Sequence, residues 1–86
     1  MYAIELAPAA LKSLEKIEKS DRAISDRLTA AIDRLKDDPE AGKPLVGPMK
    51  PLRSLRAGDY RIIYRIHRNI ILIQIIAISH RRDVYR

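Results

Sequence analysis

The chain has 86 residues, 47% of them hydrophobic and 33% charged, with no cysteine and a formal net charge of +6. That length carries one small core, and the lack of cysteine excludes disulfides and thiolate metal sites. The longest apolar run, residues 70–78, contains Gln74 and falls well short of the roughly 20 residues that cross a bilayer.

Residues 2–6 alternate and predict a short first strand. Glu5 interrupts any apolar stretch there, so no signal peptide is read. Pro8 suits the first position of a helix, where its missing N–H is not needed. Leu11, Leu14 and Ile17 predict the apolar face of that helix, over about residues 8–18. Ser20 or Asp21 can cap a second helix, whose stripe is Ile24, Leu28, Ala31, Ile32 and Leu35. Asp38-Pro39 ends it, because the residue before proline avoids helical geometry. Two helices joined so closely predict an antiparallel hairpin.

Residues 38–51 contain four of the five prolines and two of the three glycines and read as a surface loop. Residues 52–57 are strand-like, and Gly58-Asp59 marks a tight connection. In residues 60–67, Tyr60, Ile62, Tyr64 and Ile66 share one face, and Arg61, Ile63, Arg65 and His67 the other. Arg68-Asn69 predicts a second turn. Residues 70–78, apolar on both faces, read as an interior strand. The expected fold class is α+β over a single domain, residues 1–86. It consists of an N-terminal strand, a helical hairpin and a three-stranded meander, forming a small antiparallel-rich sheet with the helices on one face. The other face is expected to show Arg61, Ile63, Arg65 and half of the last strand's isoleucines.

Charge is distributed unevenly along this plan. Residues 1–52 hold nine cations and nine anions, which cancel. Residues 53–86 hold eight arginines and no lysine against Asp59 and Asp83, and carry all of the +6. Arginine stays charged at any working pH, and its planar fork matches phosphate oxygens. A neutral helical half joined to an arginine-only half therefore predicts a surface for polyphosphate, RNA above all. A sequence pI near 10.0 points to a soluble protein with an acidic partner, expected in the cytoplasm and away from membranes.

The string RSLRAGDYRIIYR at residues 53–65, followed by AISHRRDVYR at residues 77–86, resembles the RelE/ParE superfamily of bacterial and archaeal toxins. LAPAALKSL at residues 6–14 and the loop carrying Asp38-Pro39, Gly42, Leu45 and Gly47 match it too. The resemblance spans essentially the whole chain in order. It implies the toxin of a type II toxin–antitoxin system and, for the RelE-like branch, a ribosome-dependent endoribonuclease. Such an enzyme cuts messenger RNA in the A site through the RNA's own 2′-hydroxyl. It needs no metal or cofactor, and the two acids and two scattered histidines of the sheet half form no metal cluster. The expected partners are ribosome, messenger RNA and a RelB-like antitoxin in a hetero-oligomer. The antitoxin would lay an acidic, apolar segment over the basic sheet face.

Residue by residue, the resemblance makes Arg61 the phosphate-stabilising arginine and Arg81 the arginine near the leaving group. Tyr85 matches a C-terminal tyrosine that stacks on a base or assists proton transfer. His80 is the side-chain type suited to proton transfer near neutrality. Arg53, Arg56, Arg65 and Arg82 are the candidate RNA-binding cations. By alternation Arg53 and Arg56 point to opposite faces, so at most one lines the site. Leu52 and Ser54 depart from the family pattern, which carries basic residues on this strand, and leave the general base unassigned. That departure favours the alternative of a ParE-like, non-catalytic DNA gyrase inhibitor. A third reading is a weakly active relative that chiefly serves as an antitoxin-binding partner.

Overall fold

The computed structural model describes residues 1–49 and 51–84. Strand β1 (Ala3–Leu6) leads into helices α1 (Pro8–Ser20) and α2 (Arg22–Arg34), then β2 (Lys43–Pro44), β3 (Arg53–Ala57), β4 (Tyr60–His67), β5 (Leu72–His80) and a short α3 (Arg81–Val84). The sheet order is β1-β5-β4-β3-β2. β1 runs parallel to β5, and the remaining neighbours are antiparallel. The expected strand, hairpin and meander are all present, and the first strand docks beside the isoleucine-rich one.

Asp21 both closes α1 and opens α2. Its N–H donates to the Ile17 carbonyl at 2.7 Å, and its carboxylate accepts from Ile24 N–H at 3.2 Å. Ser20, the other predicted cap, instead turns its hydroxyl back to the Ile17 carbonyl. Asp21→Ala is expected to cost about 1 kcal/mol. In a chain of this size that lowers Tm by about 4–8 °C, measurable by calorimetry.

The stripe of α2 is buried as expected at Leu28, Ile32 and Leu35. In α1 the buried face is Ala10, Leu14 and Ile17, while Leu11 is 46% exposed. At about 100° per residue, Ala10 falls between Leu14 and Ile17 on the helical wheel, and Leu11 lies outside all three. Against these helices the sheet places Ile62, Tyr64, Ile73, Ile75 and Ile78, so the tyrosine–isoleucine face is the covered one.

Two features of the sheet differ from expectation. β4 and β5 slip register between Ile63, opposite Ala77, and Tyr64, opposite Ile75, which leaves Ile76 as an extra residue. The slip lets Ile73, Ile75 and Ile78 all reach the core. The opposite-face positions of β5 become Leu72, Gln74, Ala77 and Ser79, so that face is more polar than simple alternation predicts. The second difference is β2, in a stretch read as loop. Lys43 pairs with Ser54 and Pro44 with Arg53. Long-range bonds draw it in: Tyr64 Oη accepts Gly42 N–H at 2.9 Å and donates to the Pro39 carbonyl at 2.7 Å.

Candidate nucleic-acid interface

The site grows out of the β3–β4 turn. Gly58 has φ +62°, a left-handed conformation that glycine adopts without strain. The tight turn sets Arg56 directly opposite Arg61 and Ala57 opposite Tyr60. On its other side β4 pairs Arg61 with Ser79. Alternation then sends Arg56 and Arg61 to the helix-free face together. Arg56 Nε donates to the Gly58 carbonyl at 3.2 Å, steadying the turn it flanks.

Arg81 arrives from the end of β5. Its N–H donates to the Asp59 carbonyl at 2.7 Å, and its Nη1 lies 3.9 Å from Asp59 Oδ1. Those two side chains are 59% and 63% exposed, so the ion pair itself contributes little stability. Its consequence is positional. Arg56, Gly58, Asp59, Tyr60, Arg61 and Arg81 line one open cavity of about 200 Å³. Three arginines and one aspartate line this cavity, and guanidinium forks match the oxygens of a phosphate-like anion.

The remaining predicted residues are placed as follows. Arg53 points to the opposite face from Arg56, as alternation required. Its Nε and Nη2 donate to the Gly42 carbonyl at 3.1 and 2.8 Å, so its guanidinium is engaged in holding the loop. Arg65 is exposed on the helix-free face opposite Gln74. Arg82 is exposed, and its N–H donates to His80 Nδ1 at 3.2 Å. His80 pairs with Tyr60 across the ladder, on the helix side, with ring centroids 5.0 Å apart and edge-on. The structure therefore brings His80 behind Tyr60 and not into the cavity. Tyr85 lies outside the described residues. Among the described residues no three His, Asp or Glu side chains gather into a metal ligand set, and no helix is long and apolar enough to cross a membrane.

The sequence reading missed Asp59, which was seen only as a turn residue. Its position between two predicted strands was legible. That it anchors Arg81 depends on β5 running past the turn, which no local signal reports.

The fold and site define a small α+β protein with an arginine-lined cavity at one end of its sheet. The model of the family described as "ParE toxin of type II toxin-antitoxin system, parDE" matches residues 4–85. Toxin RelG of Mycobacterium tuberculosis is 30% identical over 86 residues, which cover 99% of this chain and 97% of that protein. In the crystal structure of the RelBE2 toxin–antitoxin complex from the same organism, one chain superposes with a TM-score of 0.82 at 26% identity, covering 92% of this chain and 96% of that one. A YoeB/ParE toxin from Agrobacterium tumefaciens has the same fold, with a TM-score of 0.81 at 20% identity, covering 91% of this chain and 96% of that one. The chain belongs to the RelE/ParE superfamily, the toxins of type II toxin–antitoxin systems.

Proposed function

We propose that this toxin is a ribosome-dependent, metal-independent endoribonuclease that cleaves messenger RNA in the A site. The observation that carries the reading is the convergence of Arg56, Arg61 and Arg81 on one cavity. Attack by a 2′-hydroxyl on the neighbouring phosphorus concentrates negative charge on the phosphate oxygens as the 5′-oxygen leaves. Fixed donors aimed at that charge are worth most in the transition state. Arg61, backed by Arg56, holds the non-bridging oxygens, and Arg81 stands beside the leaving oxygen. Tyr85 orients the nucleotide. His80 is the proton-transfer residue of this reading, and its ring stands behind Tyr60, outside the cavity, in this structure.

The test adds purified toxin to ribosomes programmed with a defined message and maps the 3′ ends by primer extension. Cuts within the A-site codon that vanish on naked RNA are the expected result. Folded, growth-arresting protein that cuts nothing would refute the nuclease. It would favour the gyrase-inhibitor reading, which the ParE description of the matching family supports. A supercoiling assay then decides.

The partner of this reading is a RelB-like antitoxin, in keeping with the toxin–antitoxin complex seen for the structural relative. Its acidic, apolar segment crosses the helix-free face and covers Arg61, Ile63 and Arg65 in a cytoplasmic hetero-oligomer. Reversing both charges, Arg61→Glu with Arg65→Glu, is expected to weaken antitoxin binding at least tenfold by calorimetry. Unchanged affinity would move the antitoxin to another face.

A further inference from the structure

The arginine cavity continues past Arg61. On the far side of the Arg56–Arg61 pair a larger hollow of about 510 Å³ opens, lined by Lys43, Pro44, Leu45 and Ser54 together with the same two arginines. We propose that this hollow is a nucleotide subsite: it takes the ribose and base adjoining the phosphate held by Arg61 and Arg81. The inference rests on the nuclease reading and adds where the substrate's neighbouring nucleotide lies.

Three observations carry it. The first is continuity, since Arg56 and Arg61 line both hollows and a phosphate between them leaves its nucleoside over one or the other. The smaller hollow is ringed by charge and suits the phosphate. The larger one falls within the roughly 300–1,000 Å³ range of small-molecule sites. The second is chemistry. Pro44 and Leu45 offer an apolar wall for a base plane, Arg56 and Arg61 offer guanidinium faces for stacking, and the Ser54 hydroxyl can donate to or accept from a base edge. Lys43 adds a cation for the next phosphate along the strand. Lys43 pairs with Ser54 and Arg56 with Arg61, so all four side chains share the helix-free face in register.

The third is that the wall is built before any ligand arrives. Gly42, just ahead of Lys43, is fixed through its N–H by Tyr64 and through its carbonyl by Arg53. Leu45 N–H donates to the Leu52 carbonyl at 2.9 Å and closes the other end. A preformed wall spares the ordering cost that a mobile loop would impose on binding.

The test titrates an uncleavable 2′-deoxy trinucleotide into isotope-labelled wild-type protein and follows the amide resonances. Shifts at Lys43, Leu45 and Ser54, alongside those at Arg56, Arg61 and Arg81, are expected. Lys43→Ala and Leu45→Ala should each weaken the trinucleotide about 5–10-fold while leaving the Arg81 shift in place. On programmed ribosomes Leu45→Ala should also redistribute cutting among codons. Shifts confined to Arg56, Arg61 and Arg81, with both variants binding as wild type, would overturn the subsite and spare the nuclease. Shifts at both hollows from a protein that never cuts would support the subsite and refute the nuclease. Shifts at neither would overturn the subsite, and the mapping of cuts on programmed ribosomes then decides the nuclease by itself.

Discussion

Arg61→Ala and Arg81→Ala are each expected to lower translation-coupled cleavage by about 10²–10³-fold, and with it toxicity in cells. That is the loss measured when one preorganised donor to a developing oxyanion is removed, about 2.7–4 kcal/mol of barrier. The fold should survive. Arg81 is exposed, and Arg61 lies on the helix-free face, outside the buried core. Melting temperatures should therefore stay within a few degrees of wild type. Arg61→Lys separates charge from geometry. It keeps the cation but loses the planar fork, so an intermediate rate is expected. Full activity in either alanine variant, at equal folded concentration, would remove that arginine from the site. Equal losses in melting temperature and activity would mean that the residue supports the fold and not the chemistry.

Gly42→Ala should be among the most destabilising of the substitutions considered. A β-carbon there would lie 2.7 Å from Tyr64 Oη, 2.8 Å from Tyr64 Cε1 and 2.8 Å from the Ser54 carbonyl oxygen. These contacts are closer than real β-carbons make, and one neighbour is backbone. The loop must move away, breaking the Tyr64–Gly42 and Arg53–Gly42 bonds. Overpacking of this kind costs about 1–3 kcal/mol, or a drop in Tm of about 4–8 °C for each kcal/mol. Tyr64→Phe alone leaves Gly42 N–H and the Pro39 carbonyl without their shared hydroxyl, at a cost of about 1–3 kcal/mol. The two changes should be coupled, because removing Oη also removes the closest clash. The double variant is therefore expected to lose less than the sum of the singles. Strict additivity in thermal or denaturant unfolding would show that Tyr64 and Gly42 do not act as one clamp. Because the clamp holds the Lys43–Leu45 wall, Gly42→Ala should weaken the deoxy trinucleotide as well.

How much of this was legible in the sequence depended on whether the signal was local. The stripe of α2 reads correctly because three-to-four spacing and burial are the same fact. The face of α1 reads one residue off, because leucine outweighs alanine on any hydrophobic scale, yet the small side chain is the one fully buried. Periodicity reports β5 as an interior strand but is silent on Ile76. A bulge adds a residue without changing composition, and here it changes which face every later side chain takes. β2 had no signal at all. Two residues in a proline- and glycine-rich stretch become a strand only because a tyrosine and an arginine from other strands bind the glycine ahead of them.

The site divides the same way. The sequence by itself determined the charge half, the arginine chemistry, the opposite faces of Arg53 and Arg56, and the family. All of these follow from residue identity, period-two alternation and motif order, which are properties of the chain before it folds. Only the tertiary structure decided that Arg56, Arg61 and Arg81 meet, that Asp59 anchors Arg81, and that His80 stands behind Tyr60. It also decided that Lys43 and Leu45 wall a second hollow. Each depends on strand register between distant segments. Register is set by how the whole apolar set fits the core and by one bulge, neither of which any short stretch of sequence encodes.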